Sequence, residues 1–266
     1  MKKICFYNGK RIHYQINGRG KSLVLIHGYL ESLHMWKAHQ EALASNYQVI
    51  SIDLPGHGKT DHFYDVHTMS FLSDIIYAVL KSENIEKCVM IGHSMGGYAT
   101  LEFASKYPTL LSGFGLFHSH ARADDAESKQ NRARTIDLIN QDKGHFIYHF
   151  IPTLFAAENV SKFSKQIDNQ IELANAMDKK TVIAAMEGIK ERESMLQVLI
   201  ETKVPVLFIL GKKDSRIPLE MALAQTALPP NAMVLILGKS GHMGWLEEQE
   251  KTIATIDGFI KVCFSA

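Results

Sequence analysis

The feature that most constrains this 266-residue chain is a repeated alternation between short apolar runs and amphipathic helical segments. "SLVLIHG" (22–28), "KCVMIG" (87–92) and "VPVLFIL" (204–210) are apolar runs of strand length, and a segment such as "TMSFLSDIIYAVLKS" (68–82) has helical spacing. Strands that are apolar throughout are buried on both faces, and their alternation with helices is typical of a mostly parallel sheet. The sequence therefore predicts an α/β protein with a helix-flanked sheet.

Eight strands are predicted in total. The first two form a hairpin around Asn8-Gly9, a dipeptide that supplies the positive φ angles of a tight turn. The other strands are predicted at 22–28, 47–52, 87–92, 111–117, 204–210 and 232–237. Helical patterns lie at 36–45, 68–82, 96–107, near 218–228 and from 245 onward.

The alternation stops between 121 and 200. This segment has helical periodicity, and its strong breakers are Gly144, Pro152 and Gly188. It predicts four or five helices with no strand between them. The chain is therefore divided into a core domain of 1–120 and 201–266 and an all-helical insertion of 121–200.

Composition restricts the classes of function. The 29 Lys and Arg residues nearly balance the 28 Asp and Glu residues, so no nucleic-acid surface is indicated. No apolar run approaches the ~18 residues of a membrane span, and the first residues lack the apolar region of a signal peptide. Cys5, Cys88 and Cys263 are widely spaced without a CxxC motif, which favours a reducing compartment. We therefore expect a cytoplasmic protein that binds neither nucleic acid nor membrane.

Residues 92–96, Gly-His-Ser-Met-Gly, fit the pattern G-x-S-x-G. The pattern arises by chance in about one chain in ten of this length, but here it joins a predicted strand to a predicted helix, as the motif requires. Glycine removes Cβ collisions at positions 92 and 96 of so sharp a turn. The turn would hold the Ser94 hydroxyl at the N-terminal end of a helix, where negative charge is favoured. Ser94 is therefore predicted to be a nucleophile.

A serine hydroxyl needs a base within hydrogen-bond reach, and the base needs an acid that orients it. Asp214 follows the predicted strand of "FILGKKDSRIP", and His242 follows that of "LILGKSGHMGWLEE". The carboxyl ends of parallel strands meet at one edge of a sheet, so both side chains are expected beside Ser94. Asp53, in "IDLPG", also ends a strand and is the rival acid.

Five pieces of the sequence, "HGY", "DLPGHGKT", "GHSMGG", "GKKDSRIP" and "SGHMGWLEE", resemble motifs of the α/β-hydrolase family in the family's order. The resemblance spans essentially the whole chain and implies the α/β-hydrolase fold. It implies that Ser94 is the nucleophile, His242 the base and then acid, and Asp214 the orienting acid. The family order of serine, acid and histidine favours Asp214 over Asp53. The insertion at 121–200 resembles the family's helical cap.

The resemblance also implies an oxyanion hole formed by the backbone N–H groups of Tyr29 and Met95. No cofactor is implied. His93, His118 and His120 are candidates for substrate contact, with packing and loop polarity as the alternative interpretation. His145 and His149 have the i, i+4 spacing of metal ligands, but no third ligand or HExxH motif accompanies them, so no metal is predicted.

The sequence thus predicts a serine hydrolase that cleaves a small or medium carboxylic ester through an acyl-enzyme intermediate. Its expected partner is the small-molecule ester itself. A serine at position 94 argues against a dehalogenase or an epoxide hydrolase, whose covalent ester forms on a carboxylate. Thioester, lactone and C–C bond hydrolysis, perhydrolase activity and a ligand-sensing receptor on the same scaffold are the alternatives, since fold alone does not decide between them.

Overall fold

Eight strands form a single sheet in the computed structural model, which describes residues 1–265. The strands are β1 (Lys2–Tyr7), β2 (Lys10–Asn17), β3 (Ser22–Ile26), β4 (Gln48–Ile52), β5 (Cys88–His93), β6 (Leu111–Phe117), β7 (Val206–Gly211) and β8 (Ala232–Leu237). They lie in the order β1-β2-β4-β3-β5-β6-β7-β8. β2 is antiparallel to both β1 and β4, and all other neighbours are parallel. The predicted mostly parallel, eight-stranded sheet is confirmed.

Helices flank the sheet and connect its parallel strands. They are α1 (Lys37–Leu43), α2 (Met69–Ser82), α3 (Met95–Lys106), α4 (Ala126–Phe150), α5 (Ser164–Asn175), α6 (Lys179–Glu191), α7 (Leu196–Glu201), α8 (Leu219–Leu223), α9 (Gly244–Glu247) and α10 (Gln249–Ser265). α2 packs on α3, and α1 packs on α10. No helix among residues 1–265 combines the length and the apolar character needed to cross a membrane. The cytoplasmic location stays a prediction.

Burial follows position in the sheet. Every residue of β3, β5 and β7 is buried, which explains why these strands are apolar throughout. The outermost strands, β1 and β8, alternate between exposed and partly buried residues, because only one of their faces packs on the protein. The central strands therefore provide a rigid base, and the loops at their carboxyl ends carry the polar residues discussed below.

Between β6 and β7 the described chain forms helices and short 3₁₀ turns with no strand, as the periodicity predicted. α4 is interrupted at Asp142, whose backbone is extended (φ −151°, ψ 95°) and whose carboxylate caps the following turn at the His145 N–H. α4 packs on α5 and α6. The division of the chain into a core domain and a cap stays a prediction.

Two helices differ from their predicted extents. The pattern near 218–228 gives only the short α8, which is followed by turns leading to Pro229 and Pro230. The final helical pattern is split at Glu248, whose backbone is not helical (φ −135°, ψ 49°). The Glu248 carboxylate accepts hydrogen bonds from the Lys239 N–H and the Ser240 hydroxyl. The residue at which the helix is interrupted therefore fixes the loop after β8.

The fold buries several neutral histidines, and this predicts acid sensitivity. Burial lowers the pKa to about 3 in four of them, namely His39, His57, His67 and His120. At pH values between 3 and 6.5 the unfolded chain binds more protons at these sites than the folded chain does. The free energy of unfolding therefore falls as the pH drops, by at most about 1.4 kcal/mol per pH unit for each histidine.

Denaturant unfolding at about pH 7 and about pH 5.5 measures this loss. His39 accepts or donates a single hydrogen bond, between Nε2 and the Thr252 hydroxyl, at 3.0 Å. We expect His39→Gln to reduce the difference between the two pH values by about 1 kcal/mol. His34→Gln, at an exposed position, is the control and should leave the difference unchanged. Equal stability of the parent protein at both pH values would contradict the prediction.

Candidate active site

Ser94 lies at the sharp turn between β5 and α3. Its φ of 50° and ψ of −116° place it in a left-handed region that side-chain-bearing residues rarely adopt. The turn closes so tightly that a Cβ at Gly92 would lie 2.2 Å from the Gly96 carbonyl oxygen. A Cβ at Gly96 would lie 2.5 Å from the His27 carbonyl oxygen. These contacts confirm the predicted need for glycine, and they press the start of α3 against the end of β3.

The strain at Ser94 predicts a gain in stability when it is relieved. Positive-φ strain at a non-glycine residue costs roughly 1–3 kcal/mol, whereas glycine adopts such angles freely. We expect Ser94→Gly to raise the free energy of unfolding by about 1 kcal/mol, after allowing for the greater entropy of glycine in the unfolded chain. Ser94→Ala retains the Cβ and is the matched control, with little expected change. Denaturant unfolding compares the two, and equal stabilities would contradict strain at this turn.

Asp214 follows β7, and its carboxylate is fully engaged. Oδ1 accepts hydrogen bonds from the backbone N–H groups of Arg216 and Ile217 at 2.8 and 3.0 Å. Oδ2 lies 2.9 Å from Nδ1 of His242, in the loop after β8. Burial opposes the charge of Asp214, but the neighbouring imidazoles of His242 and His118 outweigh burial and hold the pKa well below its usual range. The structure thus brings the predicted acid and base into contact.

Asp53, the rival acid, has different neighbours. Its carboxylate accepts hydrogen bonds from the backbone N–H groups of Leu33 and Lys59 and lies 2.7 Å from Nδ1 of His13. These partners belong to the loops around β3 and β4 and to β2. Asp53 therefore fastens loops together and does not contact His242.

His118 lies beside Asp214 and His242, with its ring centroid 5.5 Å from that of His242. It is fully buried, has a positive φ of 47°, and its Nδ1 lies 2.9 Å from Asp214 Oδ2. Burial lowers the pKa of His118 to about 4, so the ring is neutral at pH 7. His118 was predicted as a candidate for substrate contact, but it is not among the residues that line the cavity containing Ser94. His93 and His120, the other two candidates, line the cavity that contains Ser94.

A buried chain of polar groups connects three loops of the site. The Glu31 carboxylate accepts a hydrogen bond from the Gly28 N–H at 2.7 Å and lies 2.8 Å from Nδ1 of His93. Nε2 of His93 lies 2.9 Å from the backbone carbonyl oxygen of His242. Although burial opposes a charge on His93, Glu31 outweighs it and raises the pKa of the imidazole. Glu31 was not predicted from the sequence, where its only signal is an acidic residue within the short loop "HGYLES".

The two backbone N–H groups predicted for an oxyanion hole lie next to this chain. Met95 begins α3, so its N–H has no helical acceptor. Tyr29 follows Gly28 in the loop after β3. Within residues 1–265, neither N–H donates a hydrogen bond to another backbone group. Both donors are therefore available to a ligand.

A cavity of about 490 Å³ opens onto these residues. Ser94 and His242 line it together with Tyr29. Its walls combine apolar side chains such as Phe150 and Met186 with charged residues, of which Arg122, Arg132 and Arg216 are basic and Asp124 and Asp125 are acidic. None of the charged wall residues was predicted from the sequence.

Among residues 1–265, side chains that could bind a metal ion together cluster at one place. The one group of three comprises His118, Asp214 and His242, whose ligand atoms lie within 4.8 Å of one another. The 2.9 Å contact between His242 and Asp214 is a hydrogen bond, and His118 lies at the same distance from Asp214 as a short contact, so this group needs no ion to explain it. The rings of His145 and His149 are tilted with centroids 4.4 Å apart, and they join no third ligand in the described chain.

Sequence relatives align with most of this chain. It is 28% identical over 255 residues to a dihydrolipoyllysine-residue acetyltransferase component of an acetoin cleaving system from Pseudomonas putida, with 93% of this chain and 66% of that protein covered. The chain thus spans just under two thirds of that relative's length. It is 27% identical over 256 residues to a 2-hydroxy-6-oxononadienedioate/2-hydroxy-6-oxononatrienedioate hydrolase from Paraburkholderia phymatum, covering 91% of this chain and 88% of that one.

Among solved structures, a thermophilic esterase from Thermogutta terrifontis superimposes with a TM-score of 0.92 at 26% identity, covering 99% of both chains. A family model described as the alpha/beta hydrolase fold matches residues 21–249. That match includes the turn at Ser94, Asp214 and His242. The chain therefore belongs to the alpha/beta hydrolase fold family.

Proposed function

We propose that this hydrolase of the α/β fold is a serine esterase that cleaves a small or medium carboxylic ester through an acyl-enzyme intermediate. The observation that carries the proposal is that the nucleophile and the base lie at the same cavity. Ser94, on its strained turn, and His242, whose Nδ1 contacts Asp214, line the same cavity. A nucleophile, a base and an orienting acid are the three groups that nucleophilic catalysis by serine requires.

In the first half of the proposed reaction, the Ser94 hydroxyl attacks the ester carbonyl carbon and its proton passes to Nε2 of His242. Asp214 fixes the His242 tautomer, because an acceptor at Nδ1 keeps the proton there and leaves Nε2 free to act as base. The N–H groups of Tyr29 and Met95 donate to the oxyanion, each contributing about 10²–10³ in rate. His242 then protonates the departing alcohol.

In the second half, a water molecule attacks the acyl carbon while His242 accepts one of its protons. The tetrahedral intermediate collapses, the Ser94 oxygen takes back the proton from His242, and the carboxylic acid leaves. The α3 N-terminus and the two N–H donors favour the negative charge at both stages. The sequence of steps returns every group to its starting protonation state.

The cavity and the relatives support an ester of limited size. Its volume of about 490 Å³ falls within the range of about 300–1,000 Å³ typical of small-molecule sites. The similar solved structure from Thermogutta terrifontis is called an esterase, and the relative from Paraburkholderia phymatum is called a hydrolase. The apolar part of the wall, with Phe150, Leu154 and Met186, suits a short acyl or alkyl group.

An acyl-chain series of p-nitrophenyl esters, from acetate to palmitate, tests this proposal. We expect kcat/KM to peak among the short and medium chains and to fall steeply for palmitate. A fluorophosphonate probe should label the protein once, and mass spectrometry should place the label on Ser94. Labelling at another residue, or absence of both labelling and turnover, would refute the proposed function.

A further inference from the structure

The cavity beside Ser94 holds a guanidinium that has no carboxylate partner within residues 1–265. Arg216 lines the cavity two residues after Asp214. Its guanidinium lies 4.8 Å from the ring centroid of Phe150 and donates a hydrogen bond to the Thr153 hydroxyl at 2.5 Å. Arg216 is an exposed residue at the cavity wall; partial burial of its guanidinium lowers its pKa, and the nearby Asp214 carboxylate opposes that change. The Asp214 carboxylate is held by His242 and two backbone N–H groups and makes no ion pair with Arg216 within residues 1–265, although its charge acts favourably on the guanidinium.

A second part of the wall holds a shared ion pair. Asp124 is ion-paired with both Arg132 and Arg192, so one carboxylate serves two guanidiniums. Arg192 is buried behind the wall, where it lies against the Tyr98 ring. Arg132 lines the cavity, and beyond Asp124 its guanidinium has only a weak contact of 3.7 Å with the Met186 sulfur. Arg132 and Arg216 are close enough that their repulsion contributes to the lowered pKa of Arg216.

The remaining carboxylates of the wall are already engaged. Glu31 is held by His93 and the Gly28 N–H. Asp125 caps the N-terminus of α4 by accepting the Ser128 N–H and is exposed. An arginine at the cavity wall without an ion-pair partner has free donors that a ligand carboxylate can accept from. The planar donors of arginine match a carboxylate in charge and geometry.

We propose that the cavity selects esters that carry a second, free carboxylate, which Arg132 and Arg216 bind while Ser94 attacks the ester group. This inference rests on the proposed function and adds the substrate class to it. The half-esters of short dicarboxylic acids have this chemistry. Their free carboxylate is the anchor, and the length of the chain between the two carboxyl groups determines whether the ester reaches Ser94.

Two isosteric substrates test the inference. The monoethyl ester of glutaric acid carries a free carboxylate, whereas the ethyl ester of glutaramic acid carries a neutral amide of nearly the same shape. For the parent protein, we expect kcat/KM to favour the carboxylate by at least about tenfold, the effect of one or two charge-assisted hydrogen bonds. Monoethyl esters of malonic, succinic and adipic acids then locate the best spacing. A parent protein that hydrolyses the amide as fast as the carboxylate would overturn the inference.

Substitutions assign the selectivity to the two arginines. In Arg216→Gln and Arg132→Gln, we expect the preference to fall about tenfold, chiefly through a higher KM for the carboxylate, with little change for the amide. Arg216→Lys should keep part of the preference, because it retains the charge but loses the planar donors. Arg19→Gln, at an exposed loop position, is the control and should keep all of it. Equal losses with both substrates would show a merely structural role.

A binding measurement separates this inference from the proposed function. We expect glutarate to bind the parent protein by calorimetry, and to bind Arg132→Gln and Arg216→Gln at least about tenfold more weakly. Turnover of the neutral ester and labelling of Ser94 without glutarate binding would refute the anion site and leave the esterase standing. Glutarate binding without labelling or turnover would support the anion site and refute the esterase.

Discussion

Ser94→Ala is expected to lower kcat/KM for a short-chain p-nitrophenyl ester by about 10⁶, if the three groups act as a unit. The alanine removes the hydroxyl at the turn after β5, which lines the same cavity as His242. It leaves the backbone and the oxyanion donors in place. Steady-state rates of parent and variant, corrected for uncatalysed hydrolysis, measure the loss. The variant should also fail to react with the fluorophosphonate probe.

A matched substitution isolates this effect from a general loss of structure. Ser70→Ala removes the hydroxyl of an exposed serine in α2 and should retain the parental rate. Ser94→Ala should unfold at the same denaturant concentration as the parent, because its Cβ and backbone are unchanged. A variant at position 94 that retains full turnover would exclude Ser94 as the nucleophile.

Asp214→Asn is expected to lower kcat by about 10⁴, with only a small change in KM. The asparagine amide can donate to Nδ1 of His242, and this stabilises the tautomer whose Nε2 carries the proton and cannot act as base. Steady-state kinetics with the same p-nitrophenyl ester provide the measurement. Asp65→Asn, at an exposed position, is the control. An undiminished rate in Asp214→Asn would exclude Asp214 as the orienting acid and favour Asp53.

Local patterns were sufficient to predict the sheet and the turn at Ser94. The strands β3, β5 and β7 are buried on both faces, so each is a continuous apolar run that is visible in the sequence. The glycines at 92 and 96 indicate the turn because a Cβ at either position would collide with backbone, either of the turn itself or at the end of the adjacent β3. Asp214 and His242 could be predicted because parallel strands bring their carboxyl ends together.

The groups that surround these residues could not be predicted in the same way. The contact between His118 and Asp214 joins residues 96 positions apart, and nothing in the sequence near His118 distinguishes it from a residue that faces substrate. Arg216 forms no ion pair among residues 1–265, and the Asp214 carboxylate two residues before it is held by His242 and two backbone N–H groups. Such features depend on contacts between polar and charged groups that are far apart in the chain. No periodic pattern in a single sequence reveals those contacts.

The chain from Glu31 through His93 to the His242 carbonyl has a consequence for redesign of the protein. It fastens the loop after β3, the turn at Ser94 and the loop that carries His242 to one another through two buried contacts on a single imidazole. Shortening Glu31 by one methylene would leave the buried His93 ring without its carboxylate partner and would disturb all three loops together. Loop exchange between this protein and its relatives should therefore succeed only when these three segments are transplanted as one inseparable module.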